Sequence, residues 1–212
     1  MAVLSIIPLA ADVQLGIWKI DEPVTTLLQR FPHLEKTVES YHSIERKRQK
    51  LAVYALLYAM TGKQDVWISH DMNGKPLLEN YQISISDTHG FAAIILSKSR
   101  IVAVDIEYMS DRVSRIVSRF LRSDESANKV EEQLIHWSAK ETAFKFYSSQ
   151  HLQYSEMRLH PFTATAHGRV EVDNLKAGTV LAVNYVVTSD YVLTYALEEK
   201  TPENEGLCVF LT

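Results

Sequence analysis

With one cysteine in 212 residues, Cys208, the chain has no intramolecular disulfide framework, which fits a reducing, cytoplasmic compartment. No stretch is long and apolar enough to span a bilayer. The apolar residues 1–10 lack a basic lead and soon meet Asp12, so a first strand is expected there rather than a signal peptide. Lysine and arginine, 22 in all, are outnumbered by 26 acidic residues, and a net charge of -4 argues against generic nucleic-acid binding, which needs a basic surface. The eight histidines include no His-Glu-x-x-His pair, and one cysteine cannot build a zinc cage. There is no Gly-x-Ser-x-Gly elbow and no glycine-rich phosphate cradle. What remains is ordinary globular composition, 46% hydrophobic and 23% charged, enough for one large domain or two small ones.

Read in order, the chain predicts strands at Ala2 to Pro8 and Ile17 to Ile20 with a turn at Gly16, then a short helix from Thr25 to Phe31 closed by Pro32. A long helix is expected from Ser43 to Met60, with Ile44, Leu51, Ala55 and Tyr58 on its apolar face and Gly62 as its stop. Its first turns carry Arg46-Lys47-Arg48-Gln49-Lys50. Such a run is either a solvated face or a set of cations for a phosphate-rich ligand. A strand at Val66 to Ser69 precedes the turn Asn73-Gly74-Lys75-Pro76. A hairpin follows, Tyr81 to Ser86 and Phe91 to Leu96 around Asp87-Thr88-His89-Gly90, and its all-apolar second strand should be buried on both faces.

Two stretches carry chemistry. In the strand Arg100 to Glu107, Asp105 and Glu107 sit two residues apart and project to the same side. Like charges placed so need either solvent or a cation between them, and a hard divalent ion such as Mg2+ takes carboxylates, water and phosphate oxygens. In the helix ending near Tyr147, Trp137, Glu141 and Lys145 recur every four residues and share one column, while Ala139, Ala143, Phe144 and Tyr147 face a core. A Glu-Lys pair at this spacing is also the commonest surface pair, worth about 0.3–0.5 kcal/mol. Upstream of it a helix is expected from Arg112 to Leu121, with the next beginning at Ser123-Asp124-Glu125. Past Leu152 the pattern is β: Arg158 to Phe162, Gly168 to Val172, Val180 to Val187 and Tyr191 to Leu197, with turns at Asp173-Asn174 and Ser189-Asp190.

In this order, Asp105-Ile106-Glu107 and Trp137-Ser138-Ala139-Lys140-Glu141-Thr142-Ala143-Phe144-Lys145 resemble the signature of the 4'-phosphopantetheinyl transferases of the larger, pseudo-dimeric surfactin type. The resemblance implies Mg2+ held by Asp105, Glu107 and Glu141, catalysis by Glu141 and Lys145, and coenzyme A held by Arg46, Arg48, Lys75, Thr88 and His89. The chain departs from the family at Tyr54, where an arginine is usual, and at Asp87, where a histidine is usual. Aspartate cannot donate to a phosphate and repels it; His89 is either the substitute donor or a plain turn residue.

Residues 182–197 echo residues 81–96, each pair of strands following a long helix, so two similar α+β halves are expected. Each half would be a small antiparallel sheet packed with a long helix: 1–101 with the coenzyme-binding basic residues, 102–212 with the metal-binding carboxylates. The expected activity is Mg2+-dependent transfer of the phosphopantetheine arm of coenzyme A to a serine of an acyl or peptidyl carrier protein, releasing 3',5'-ADP. The expected state is a monomer. The alternatives are a non-catalytic family member that binds coenzyme A or a carrier protein, and an unrelated α+β protein with coincidental motifs.

Overall fold

The computed structural model describes residues 3–199, so Ala2 and Cys208 lie outside the described residues. The first strand, β1 (Val3–Ala10), turns at Ala11-Asp12 into β2 (Val13–Lys19). Gly16 is therefore not the turn but the middle of β2. It is needed there because a helix packs close: a Cβ on Gly16 would meet Met60 Sδ at 2.6 Å and Leu56 Cδ1 at 2.9 Å.

Helix α1 (Val24–Arg30) lies one residue earlier than expected, and Pro32 opens a 3-10 turn, Pro32–Leu34, that leads into an unforeseen helix α2 (Glu35–Glu39). Helix α3 (Ile44–Thr61) begins at Ser43, whose hydroxyl accepts from Arg46 N, and ends at Gly62 in the left-handed region at φ 69°. Every residue from Leu51 to Tyr58 is buried, so α3 is a central helix without a single apolar stripe, and Ile44 is exposed rather than on a core face. The strand expected at Val66 to Ser69 is not formed over most of its length. Ile68 instead sinks into the core and its N–H donates to the Tyr54 hydroxyl, leaving the short β3 (Ser69–His70) and β4 (Pro76–Leu77) around the turn at Gly74.

Strands β5 (Gln82–Thr88) and β6 (Phe91–Ser97) form a hairpin with a two-residue turn, His89-Gly90. Asp87 and Thr88 thus belong to the strand. β6 is buried on both faces, as its apolar run predicts: Ala92, Ile94 and Leu96 join the core under α3, while Ala93 and Ile95 join the core between the sheets. The first sheet has the order β1-β2-β6-β5.

Strand β7 (Val102–Tyr108) starts the second sheet. The helix expected from Arg112 to Leu121 is broken into a 3-10 turn, Asp111–Arg115, and the short α4 (Val117–Phe120), because Ile116 leaves helical geometry. The long helix α5 (Val130–Phe146) begins several residues later than expected. Glu125 is drawn inward instead, where its carboxylate meets Lys140. Strands β8 (Met157–Leu159), β9 (His167–Asn174), β10 (Thr179–Val187) and β11 (Tyr191–Leu197) complete an antiparallel sheet ordered β7-β11-β10-β9-β8. β9 runs through Asn174, so the turn before β10 lies after Asn174 and closes at Gly178, φ 66°.

The fold is mixed α+β with antiparallel sheets. Helix α3 covers the first sheet and α5 the second, and a third apolar cluster joins the two sheets, with Leu15, Phe91 and Ile95 meeting Val104, Ile106 and Leu193. Each such side chain contributes about 1.5–3 kcal/mol on burial. This packing sets β5 beside β7, with α5 lying across β7 and β11.

Candidate active site

Period two along β7 aims Asp105 and Glu107 to one side, toward β5 and α5. Asp105 is only 3% exposed and is held on both oxygens: Oδ1 accepts from Ser86 Oγ at 2.8 Å and Lys145 Nζ at 2.8 Å, and Oδ2 accepts from Ser138 Oγ at 2.8 Å. A buried carboxylate needs such donors, because an unpaired one would cost several kcal/mol. Glu107 Oε1 accepts from the indole N–H of Trp137 at 2.7 Å, and Oε2 from Thr88 Oγ1 at 3.4 Å. Burial and then the charge of Asp105 push the Glu107 carboxyl up to about 7.

The column predicted on α5 is present. Trp137 reaches Glu107 and Lys145 reaches Asp105, donating also to the Val104 carbonyl at 3.0 Å. Glu141, between them, accepts from the Tyr154 hydroxyl at 2.5 Å. Burial raises the Glu141 carboxyl, with Asp105 adding to the shift and Tyr154 and Lys145 opposing it. The same environment, with the Glu141 hydrogen bond, raises the Tyr154 phenol. Phe144, expected in the core, instead is 40% exposed. Glu141, Phe144, Lys145 and Lys75 line a groove of about 260 Å³.

Behind Asp105 lies a buried chain of hydroxyls. Thr194 stands opposite Asp105 in the β7–β11 register; its Oγ1 lies 2.8 Å from Ser138 Oγ and 2.6 Å from Thr142 Oγ1. Lys140 points away from the site. Its ammonium and the Glu125 carboxylate, both fully buried, pair at 2.6 Å, and Glu125 also accepts from the backbone N–H groups of Arg122 and Leu159.

The remaining candidate coenzyme residues sit apart from this groove, around the β5–β6 turn. Arg46 pairs with Asp87 at 3.0 Å and His89 lies 3.5 Å from Glu45. Arg48 donates to the backbone carbonyls of Ile20 and Glu22. Tyr54, at the arginine position of the resembling family, is a core residue in edge contact with Trp67 and only 2% exposed. Thr88 lies on the β5–β7 seam, where its hydroxyl also accepts from Tyr108 N.

Sequence reasoning missed Ser86, Tyr154 and Thr194, which approach the carboxylates only through tertiary packing. Ser138 lies inside the motif and was open to reading as a motif residue. Trp137, which heads the column on α5, donates its indole N–H to Glu107.

A hard divalent cation suits a donor set of three carboxyl groups, in which the charges of Asp105 and Glu141 add to the rise of Glu107 and that of Asp105 to the rise of Glu141. As arranged, no three His, Cys, Asp or Glu side chains among the described residues form a group that could hold an ion. Each carboxylate is instead turned onto an internal donor, so ion binding requires these hydrogen bonds to adjust. Among the described residues no helix is long and apolar enough to cross a membrane.

No curated protein matches the chain. Residues 101–196, which run from the start of β7 into β11 and contain Asp105, Glu107, Glu141 and Lys145, match the family model of the 4'-phosphopantetheinyl transferase superfamily.

Proposed function

We propose that the protein transfers the 4'-phosphopantetheine arm of coenzyme A to a serine of an acyl or peptidyl carrier protein. The observation that carries this reading is a groove lined by Glu141 and Lys145, with the Lys145 ammonium paired to the buried Asp105, within the segment matched by the superfamily. The serine oxygen forms a bond to the phosphorus next to pantetheine, the bond from that phosphorus to the ADP oxygen breaks, and 3',5'-ADP leaves. Glu141, its proton affinity raised by burial, takes the serine proton. Lys145 uses two of its three N–H bonds on Asp105 and the Val104 carbonyl, and the third serves the leaving phosphate. Asp105, Glu107 and Glu141 would hold Mg2+, which when bound supplies charge neutralisation at phosphorus. Arg46, Arg48, Lys75, Thr88 and His89 would hold the coenzyme.

On this reading residues 1–101 and 102–212 are the two halves of a surfactin-type pseudo-dimer, working as a cytoplasmic monomer on an acidic carrier. The second reading, a non-catalytic binder of coenzyme A or a carrier, is motivated by the departures at Tyr54, a core residue, and at Asp87, which lies 3.0 Å from Arg46. Transfer to an apo carrier by the wild type separates the two. In Asp105→Ala that transfer should be lost with coenzyme A binding retained, and full transfer by this variant would overturn the site assignment.

A further inference from the structure

We infer that His151 is a further residue of the groove beside Glu141 and Lys145 and binds a phosphate of the coenzyme there; this rests on the transfer reading above. His151 lies outside the Asp-x-Glu and Trp-x-x-Lys-Glu-x-x-x-Lys stretches, yet it lines the same groove as Glu141, Lys145 and Lys75. A phosphate ester entering the groove needs hydrogen-bond donors that are not already in use. Lys145 has one N–H left over from Asp105 and the Val104 carbonyl. The Lys75 ammonium and the His151 imidazole make no hydrogen bond or ion pair with any of the described residues. An imidazole N–H can donate to a phosphate oxygen in either tautomer, charged or neutral. Among the described residues Glu141 is the one acid lining the groove, and one of its oxygens is taken by the Tyr154 hydroxyl. Around the β5–β6 turn, by contrast, Arg46 is paired with Asp87 and Arg48 donates to two backbone carbonyls.

The chain holds His151 in place from both sides. It follows the 3-10 turn Ser148–Gln150 with φ 50° and ψ 51°, in the left-handed region that side chains other than glycine rarely adopt. Before it, the Gln150 carbonyl accepts from Lys176 Nζ at 2.7 Å and the Gln150 side-chain oxygen from Asn174 Nδ2 at 2.8 Å, which ties the turn to the end of β9. After it, Leu152 is buried in the core under α5. A residue fixed at both ends meets a ligand without the ordering that a free loop would require.

The test is His151→Gly, which suits the left-handed backbone and removes the ring. Binding of coenzyme A and of 3',5'-ADP to the full chain is measured by isothermal titration calorimetry in Mg2+ buffer, with melting temperature read on the same samples and transfer to an apo carrier assayed separately. Both ligands should bind about 10- to 100-fold more weakly, the size of a hydrogen bond to a charged group, with the melting temperature little changed. His151→Asn, which suits the same backbone without glycine's added freedom but reaches less far, should weaken both ligands in the same direction. Unchanged 3',5'-ADP affinity in both variants, beside a wild type that binds it and transfers, overturns this inference alone. A folded wild type that binds neither ligand and transfers nothing overturns the transfer reading and this inference together.

Discussion

Arg46 Nη1 lies 3.0 Å from Asp87 Oδ2, so the aspartate that replaces a donor in the resembling family also draws on a cation of α3. Both side chains are partly exposed, at 60% and 25%, and the pair itself adds little to stability. Its effect is on ligands: a like charge near a phosphate costs about 1 kcal/mol at 4 Å in water, about five-fold in affinity.

Asp87→Asn should therefore lower the KM for coenzyme A about five-fold, with the gain shrinking as salt is raised. Initial rates at varied coenzyme and salt give the answer. An unchanged KM would mean that the coenzyme phosphates do not approach the β5–β6 turn.

Glu107 links the site to pH. Its carboxyl rises from 4.5 to about 7 in the folded protein, so between those values the folded state binds the extra proton and the unfolded state does not. Stability in metal-free buffer should fall as pH rises from about 4.5 to 7, by on the order of 3 kcal/mol, and level off above. Urea melts across this range should show the decline, and Glu107→Gln should flatten it. A wild-type stability that climbs through the window would contradict the burial and charge crowding assigned to Glu107.

The Lys140–Glu125 pair makes a separate prediction, about folding. Both side chains are fully buried, and burial pulls the lysine ammonium below its ordinary pKa. Lys140→Met leaves Glu125 as an unpaired buried charge and should cost about 3–5 kcal/mol in denaturant melts. Adding Glu125→Gln, which removes the buried charge and keeps one oxygen for one of the two N–H groups of Arg122 and Leu159, should recover part of that loss. A single variant as stable as the wild type would remove the pair from the account of the fold.

The same pair shows what the sequence conceals. Ser123-Asp124-Glu125 carries local signals for a helix start, yet Glu125 is held by Lys140 and by backbone from β8, partners far along the chain, and α5 starts later. Gly16 resembles a turn glycine because its close approach to Met60 and Leu56 of α3 has no local mark. Where local periodicity governs, the reading agrees with the structure. Alternation places Asp105 and Glu107 on one side, and helical spacing stacks Trp137, Glu141 and Lys145. Ser86 and Thr194 reach Asp105 through β5 and β11, and Tyr154 reaches Glu141 from an irregular segment, so none of them carried a pattern to read.

The central claim, metal-dependent phosphopantetheinyl transfer, is tested most directly by the mass of an apo acyl carrier protein after incubation with this protein, coenzyme A and Mg2+, with and without EDTA. The expected result is a gain of one phosphopantetheine group that EDTA abolishes and Asp105→Ala lacks. A carrier that stays unmodified beside folded protein that binds coenzyme A would contradict it.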